Sequence, residues 1–175
     1  IRVEELPQAI EITDYDVETC GTDVVIPSYI EGFPVETIAS KAFEMKGIIG
    51  VKLPDTLRHI GEFAFAWNGL SEVTIPDGVT HIGMATFWSN ILSTVVLGRN
   101  VSFIGDRAFL VPGGGGSHGF TNPIERIINK SGNAFNWKNI LDPDGEWTVQ
   151  DPGVVATGTY VYYNNGEREI QITSE

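Results

Sequence analysis

Ser117 and His118 stand in the run Gly115-Gly116-Ser117-His118-Gly119, which satisfies the G-x-S-x-G spelling of a hydrolase nucleophile elbow. That chemistry needs a strand before the serine and a helix after it, so that Oγ is held strained beside backbone amides. Here Gly113-Gly114-Gly115-Gly116 runs into the serine and Phe120-Thr121-Asn122-Pro123 follows it, which stops a helix from continuing. The segment therefore reads as a flexible corner loop, and it also lacks the G-K-[ST] ending of a phosphate-binding loop. His59 and His81 are 22 residues apart. On adjacent strands their imidazoles would stack about 5 Å apart, close enough to share a transition metal or to depress each other's protonation. Thr37 and Phe103 complete that column without a carboxylate ladder beside it, so it reads as a solvent-facing column. Asp142-Pro143-Asp144-Gly145-Glu146 resembles a fragment of a calcium loop but lacks the further ligands of the EF-hand pattern, and reads as a turn. Cys20 is the single cysteine, which excludes an internal disulfide and a cysteine-rich zinc site. No catalytic, cofactor or metal constellation emerges, and a non-enzymatic protein is expected.

The spacing of the two histidines belongs to a larger regularity. Val35, Ile38, Ala39 and Phe43 are followed at steps of 22 by Leu57, Ile60, Gly61 and Phe65, by Val79, Ile82, Gly83 and Phe87, and by Val101, Ile104, Gly105 and Phe109. A second set rides on the same frame, with Ile48, Val51, Leu53 and Pro54 recurring as Leu70, Val73, Ile75 and Pro76, then as Leu92, Val95, Leu97 and Gly98. A period in the twenties with an L-x-x-L-x-L core is the mark of a leucine-rich-repeat solenoid, whose coils bury their apolar sides only against their neighbours. The fold class expected is mainly β: a right-handed solenoid of 22-residue coils with short parallel strands, single 3₁₀ or α turns and β-rich caps.

Within one coil, Glu72-Val73-Thr74-Ile75 alternates and reads as a short strand with Val73 and Ile75 inward and Glu72 and Thr74 outward. Pro76-Asp77-Gly78 turns the chain. Gly61, Gly83 and Gly105, with Ala39 in the first copy, point to close backbone approach; positive φ is plausible at the glycines and less comfortable at Ala39. Met84-Ala85-Thr86-Phe87 is expected as one helical turn that drops Phe87 into an aromatic spine of Phe43, Phe65, Phe87 and Phe109. Asn68 and Asn90 read as a ladder that satisfies buried turn amides. Trp67 and Trp88 pack at the same corner or form a contact patch there.

Both ends of a solenoid need covers. Ile10–Thr13 and Val24–Pro27 look like a hairpin or an irregular first coil, and about five extra residues at Ile30-Glu31-Gly32-Phe33-Pro34 suggest a bulging turn. After Phe109 the frame breaks, and Ile124–Asn129 resumes the strand ten residues late, since Leu92 to Ile124 is 32 and 32 minus 22 is 10. Ala134-Phe135-Asn136-Trp137 offers apolar cover for the last coil, and Asn165-Gly166 between alternating residues signals a hairpin that sets Val161 across from Ile170. The expected organisation is a solenoid over 1–146 (cap 1–34, regular repeats 35–109, Gly-rich insertion 110–123, last coil and cap 124–146) and a hairpin extension over 147–175.

The chain has 175 residues, 42% of them hydrophobic, enough for one domain of ordinary core. Its formal net charge is -12, from 11 basic against 23 acidic residues, so nucleic acid and anionic membrane surfaces are poor partners. No apolar run approaches the roughly 18 residues of a membrane helix. The opening at Ile1, without Met or a leader, suggests a processed or trimmed form.

The phrases Val73-Thr74-Ile75-Pro76-Asp77-Gly78-Val79-Thr80-His81-Ile82-Gly83 and Ile60-Gly61-Glu62-Phe63-Ala64-Phe65 resemble the BspA-like leucine-rich repeats, and Val24-Val25-Ile26-Pro27 through Ile38 resembles the way such arrays begin. The likeness spans roughly residues 22 to 141. It implies a bacterial protein, extracellular or anchored to the cell envelope, that adheres to host matrix proteins, to other bacteria or to an unknown ligand. A contact surface is expected on the strand side, whose outward columns read Gly50, Glu72, Thr94, Arg126 and Lys52, Thr74, Val96, Ile128. Mixed charge, hydroxyls and two apolar neighbours suit a protein or glycan ligand better than small-molecule chemistry. Val96 and Ile128 either join that surface or lie beneath the insertion or tail. The rival functions are a structural spacer or stalk in a longer surface protein and, more remotely, a hydrolase using Ser117 and His118.

Overall fold

Each apolar column of the 22-residue frame can be buried only by the copy of itself one turn away, and the chain winds accordingly. A computed structural model describes residues 9–110, 124, 126–136, 140 and 171–173. On one side of the coils lie β1 (Ile10–Ile12), β4 (Phe33–Ile38), β6 (His59–Ile60), β8 (His81–Ile82) and β10 (Phe103–Ile104), parallel neighbours in that order. Their register follows the frame, with His59 opposite His81 and Ile60 opposite Ile82. A second row holds β2 (Asp23–Val25) paired with β5 (Gly50–Lys52), and then β7 (Glu72–Thr74), β9 (Thr94–Leu97), β11 (Arg126–Asn129) and β12 (Gln171–Thr173), again parallel.

The late strand resumes where the arithmetic puts it. Arg126 pairs with Thr94 and Ile127 with Val95, so ten additional residues leave coil register untouched. At the front, β1 pairs in parallel with β4, and β2 with β5, which makes this region an irregular first coil and not a hairpin. A four-residue helix, α1 (Val17–Cys20), capped by Asp16, lies between β1 and β2. The extra residues before Val35 form a tight hairpin, where β3 (Tyr29–Ile30) pairs antiparallel with β4. Its two turn residues, Glu31 and Gly32, both have positive φ (51° and 86°), the conformation of a two-residue type I′ turn. The hairpin expected around Asn165-Gly166 and the cover expected from Trp137 lie outside the described residues.

Phe43, Phe65, Phe87 and Phe109 form a single file, none more than 1% exposed. Their ring centroids are 4.8, 5.4 and 5.5 Å apart, with planes within 11°, 3° and 7°. Burying each ring is worth about 1.5–3 kcal/mol. Tyr15 closes the first end, its ring 5.1 Å from that of Phe43 and its hydroxyl donating to the Gly21 carbonyl at 3.0 Å. Phe135 and Ile140 are buried near the other end, where the Phe109 amide donates to the Ile140 carbonyl at 3.3 Å.

The glycine column is explained by space. None of Gly61, Gly83 and Gly105 has positive φ, whereas a Cβ on Gly83 would meet Glu62 N at 2.7 Å and Gly61 C at 2.8 Å. Positive φ falls instead on Lys41, Phe63, Ala85 and Arg107, and again on Met45, Trp67 and Ser89, two columns at the 22-residue step that carry no glycine. The stretch after each glycine is thus a pair of tight turns and not the single helical turn expected. Its purpose is visible in the hydrogen bonds. The amides of Phe63, Phe65 and Trp67 all point forward and donate to Met84, Thr86 and Trp88 in the next coil, at 3.0, 2.8 and 2.8 Å. A non-glycine residue in this conformation costs roughly 1–2 kcal/mol, and the coil-to-coil bonds offset it.

The asparagine ladder forms as the spacing predicts. Asn90, 2% exposed, donates to the Phe65 and Phe87 carbonyls at 2.9 Å each and accepts from the Leu70 amide at 3.0 Å. Asn68 does the same one coil earlier, donating to the Phe43 carbonyl at 2.7 Å and accepting from Ile48 N at 3.0 Å.

Two substitutions test this account. Asn90→Ala strands two carbonyls and one amide in the core, and chemical denaturation should show a loss of about 2–4 kcal/mol; a loss below about 1 kcal/mol would reject the ladder as a support. Met45, at φ 55° and 72% exposed, has little to lose but its strained backbone. Met45→Gly should raise stability by about 0.5–1 kcal/mol, read as an upward shift of the melting temperature.

Candidate ligand-binding surface

Alternation along the strands decides what the strand side offers. Lys52, Glu72, Thr74 and Arg126 are exposed, Thr94 and Val96 are half-buried, and Val73 and Val95 beneath them are buried at 2% and 0%. Ile128 departs from the expectation. It is 6% exposed, because β11 sinks after Arg126 and Ile127, Ile128 and Asn129 are all covered. The alternative in which Ile128 is covered therefore holds, and the residue leaves the candidate surface. The other six keep the outward placement the frame assigns.

The charges on this row are uncommitted. Among the described residues, the ion pairs are Lys46 with Asp14 at 2.9 Å and Arg99 with Asp77 at 3.7 Å, neither involving Lys52, Glu72 or Arg126. The carboxyls of Asp14 and Asp16 are held below their usual range, Asp14 mainly by the hydrogen bond from Lys46 and Asp16 mainly by the hydroxyl of Thr19. Both belong to the first coil.

One step of the row is open. β2 bonds to β5, and β7 bonds to β9 and onward to β12, yet β5 and β7 are not paired. Ile26 N donates to Lys52 O at 3.1 Å and Ile75 N to Val96 O at 2.8 Å; the corresponding bond from Leu53 N to Thr74 O is missing among the described residues. A groove of about 340 Å³ occupies the step, lined by Val51, Lys52, Leu53, Asp55, Glu72 and Thr74 among others. Coils close again on either side, through Gly69 N to Ile48 O at 2.8 Å and Thr80 N to Arg58 O at 2.9 Å. The charge sequence along the neighbouring corner runs Asp55, Asp77, Arg99. Asp77 binds the Arg99 side chain and accepts from its amide at 3.0 Å. Sequence reasoning missed this groove, since an unmade bond leaves no mark in the 22-residue frame.

The remaining candidates are placed as follows. His59 and His81 stack with centroids 5.1 Å apart, and Phe103 continues the column 5.8 Å beyond, all three exposed on the opposite row. Among the described residues no group of three or more His, Cys, Asp or Glu is arranged to hold a metal ion. Trp67 and Trp88 touch, with centroids 4.5 Å apart, and Phe63 lies about 6 Å from both. Trp88 is half-buried, while Trp67 is 39% exposed. Ser117, His118 and Asp142–Glu146 lie outside the described residues. Among the described residues no helix is long and apolar enough to cross a membrane.

Comparison with known proteins agrees with this geometry. The model of the BspA type leucine rich repeat region matches residues 22–114 in six copies. Among solved structures, a leucine rich repeat protein of T. pallidum is similar at 27% identity with a TM-score of 0.50, over 69% of this chain and 64% of that one. The chain thus spans just under two thirds of the length of that relative. A search of curated proteins gives no match. Repeat modules of this kind serve in protein interaction and at surfaces. On the stacked coils, the paired strand rows and the six matched repeats together, the chain belongs to the BspA type leucine rich repeat family.

Proposed function

We propose that the protein is a non-enzymatic binding module of a bacterial cell surface, which presents the strand side of its solenoid to a protein or glycan ligand. The observation that carries this reading is the row of exposed side chains Lys52, Glu72, Thr74 and Arg126, without ion pairs among the described residues, held in register on a buried apolar scaffold with Thr94 and Val96 beside them. Such a row exposes charge and hydroxyl groups whose positions are set by coil spacing, and a rigid display of this sort loses little entropy on binding. A host matrix protein is one partner class the family likeness suggests. The acidic surface, at net charge -12, disfavours polyanionic ligands and favours neutral or basic ones.

Screening the purified chain against immobilised matrix proteins, mucins and glycans tests the proposal. Capture of one ligand is expected, and replacing Glu72, Val96 and Arg126 together by alanine should weaken it at least tenfold, about 1.4 kcal/mol, without lowering the melting temperature by more than a few degrees. Unchanged capture would move the site off the strand side. Retention of nothing on the array would favour the spacer role instead.

A further inference from the structure

We infer that Asn68-Gly69 is a site of spontaneous modification, shielded while the coils are closed, at which deamidation makes opening of this corner irreversible. The inference is independent of which ligand the strand side takes. Its starting point is the chemistry of asparagine, a thermolabile residue. In an Asn-Gly pair the glycine nitrogen, with no side chain crowding it, gives up its proton and attacks the asparagine Cγ. A C–N bond forms and closes a succinimide, the bond from Cγ to Nδ2 breaks, and ammonia leaves. Water then opens the imide to an aspartate or an isoaspartate. In the closed corner both reacting groups are tied down. Asn68 Nδ2 donates to the carbonyls of Phe43, Phe65 and Ala66 at 2.7, 3.0 and 3.3 Å, and its Oδ1 accepts from the amides of Lys46 and Ile48 at 3.2 and 3.0 Å. The Gly69 N–H, whose proton must leave, donates to the Ile48 carbonyl at 2.8 Å. Ring closure needs these bonds released together, so it proceeds from the opened corner at a rate set by how often the corner opens.

The fold does not ask for this glycine. Gly69 has no positive φ, and a Cβ added there would meet Ile49 Cγ2 at 3.5 Å and Ile48 O at 3.6 Å, ordinary contact distances. One coil later the same position is Ile91, 60% exposed, whose amide makes the equivalent bond to Leu70 O at 3.0 Å. The lability therefore belongs to residue 69 and not to the ladder. Asn90-Ile91, with the same pattern of side-chain bonds, is an internal control.

The product does not fit the closed corner. Where Nδ2 donates to the Phe43 and Phe65 carbonyls, a carboxylate oxygen has no proton to give, and it sets a negative charge against two acceptors left without a donor. An isoaspartate also lengthens the main chain by one carbon immediately before Gly69 N, which must still reach Ile48 O for the coils to close. Each opening thus carries a risk of a lesion that prevents reclosure.

The test incubates the whole chain at neutral pH, in buffer and in guanidinium chloride, and maps the sites by digestion and mass spectrometry. The map separates Asn68 from Asn165-Gly166, the other Asn-Gly pair of the sequence. In denaturant Asn68 should convert at least about tenfold faster than Asn90, whose β-branched neighbour crowds the ring closure. In buffer Asn68 should convert at least about 100-fold more slowly than in denaturant. Chains held in denaturant and then diluted should lose their cooperative melting transition in step with conversion at Asn68. Gly69→Ala should melt within about 3 °C of the parent and keep its ability to refold over the same interval, although Asn165-Gly166 converts in both chains. Gly69→Ile, which copies position 91, serves as the second variant. The inference is overturned if Asn68 converts equally fast in both media, if Asn90 keeps pace with it in denaturant, or if both Gly69 variants lose refolding as fast as the parent.

Discussion

Every coil of this protein turns a corner with its backbone buried, and those amides and carbonyls must find partners in the neighbouring coil. That requirement governs the rest. It sets φ to positive values at Phe63 and Trp67, which no propensity would choose, so that three alternate amides can point the same way. It places Asn68 and Asn90 where a side chain with both a donor and an acceptor can close what the main chain leaves open. It also restricts Gly83 and Gly105 to the smallest side chain, since bonds of this length bring one backbone against the next. The phenylalanine file fills the interior, and hydrogen bonds between coils set how far apart its rings can sit.

Stability in such an object is distributed along one axis. Each coil contributes its own burial and its contact with two neighbours, so the ends are the weak points. The two covers differ in kind. Tyr15 meets the first phenylalanine ring to ring, held by its hydroxyl bond to Gly21, whereas the far side is covered by Phe135 and Ile140 with a backbone bond to Phe109. On the strand side, β12 adds a further parallel strand beyond β11.

Much of this was legible from residue order alone, for a physical reason: a repeat states its constraint several times. The 22-residue step predicted the rings, the valine and isoleucine columns, the inward and outward faces of the strands and the resumed register at Arg126. Features tied to a single copy were harder to read. The Glu31-Gly32 hairpin has a glycine signal, yet in a repeat frame it looked like surplus length. The positive-φ columns were illegible because Lys41, Phe63, Ala85 and Arg107 share no chemistry, and their conformation is imposed by the coil and not by the residue. Ile128 alternates outward by the pattern, yet it is buried, and a period-2 pattern carries no information on what lies over a strand. For the candidate surface, placement was legible and the unpaired step was not, since β5 and β7 keep the same frame as the strands that do pair.

The resumption of pairing at Arg126 carries a consequence for how this protein can vary. Coil stacking there is indifferent to ten surplus residues, because the ladder between β9 and β11 closes as though they were absent. The surplus length between Leu110 and Ile124 therefore does not shift the ladder that follows it. Register in this array is thus a property of the strand ladder and not of the residue count between one strand and the next.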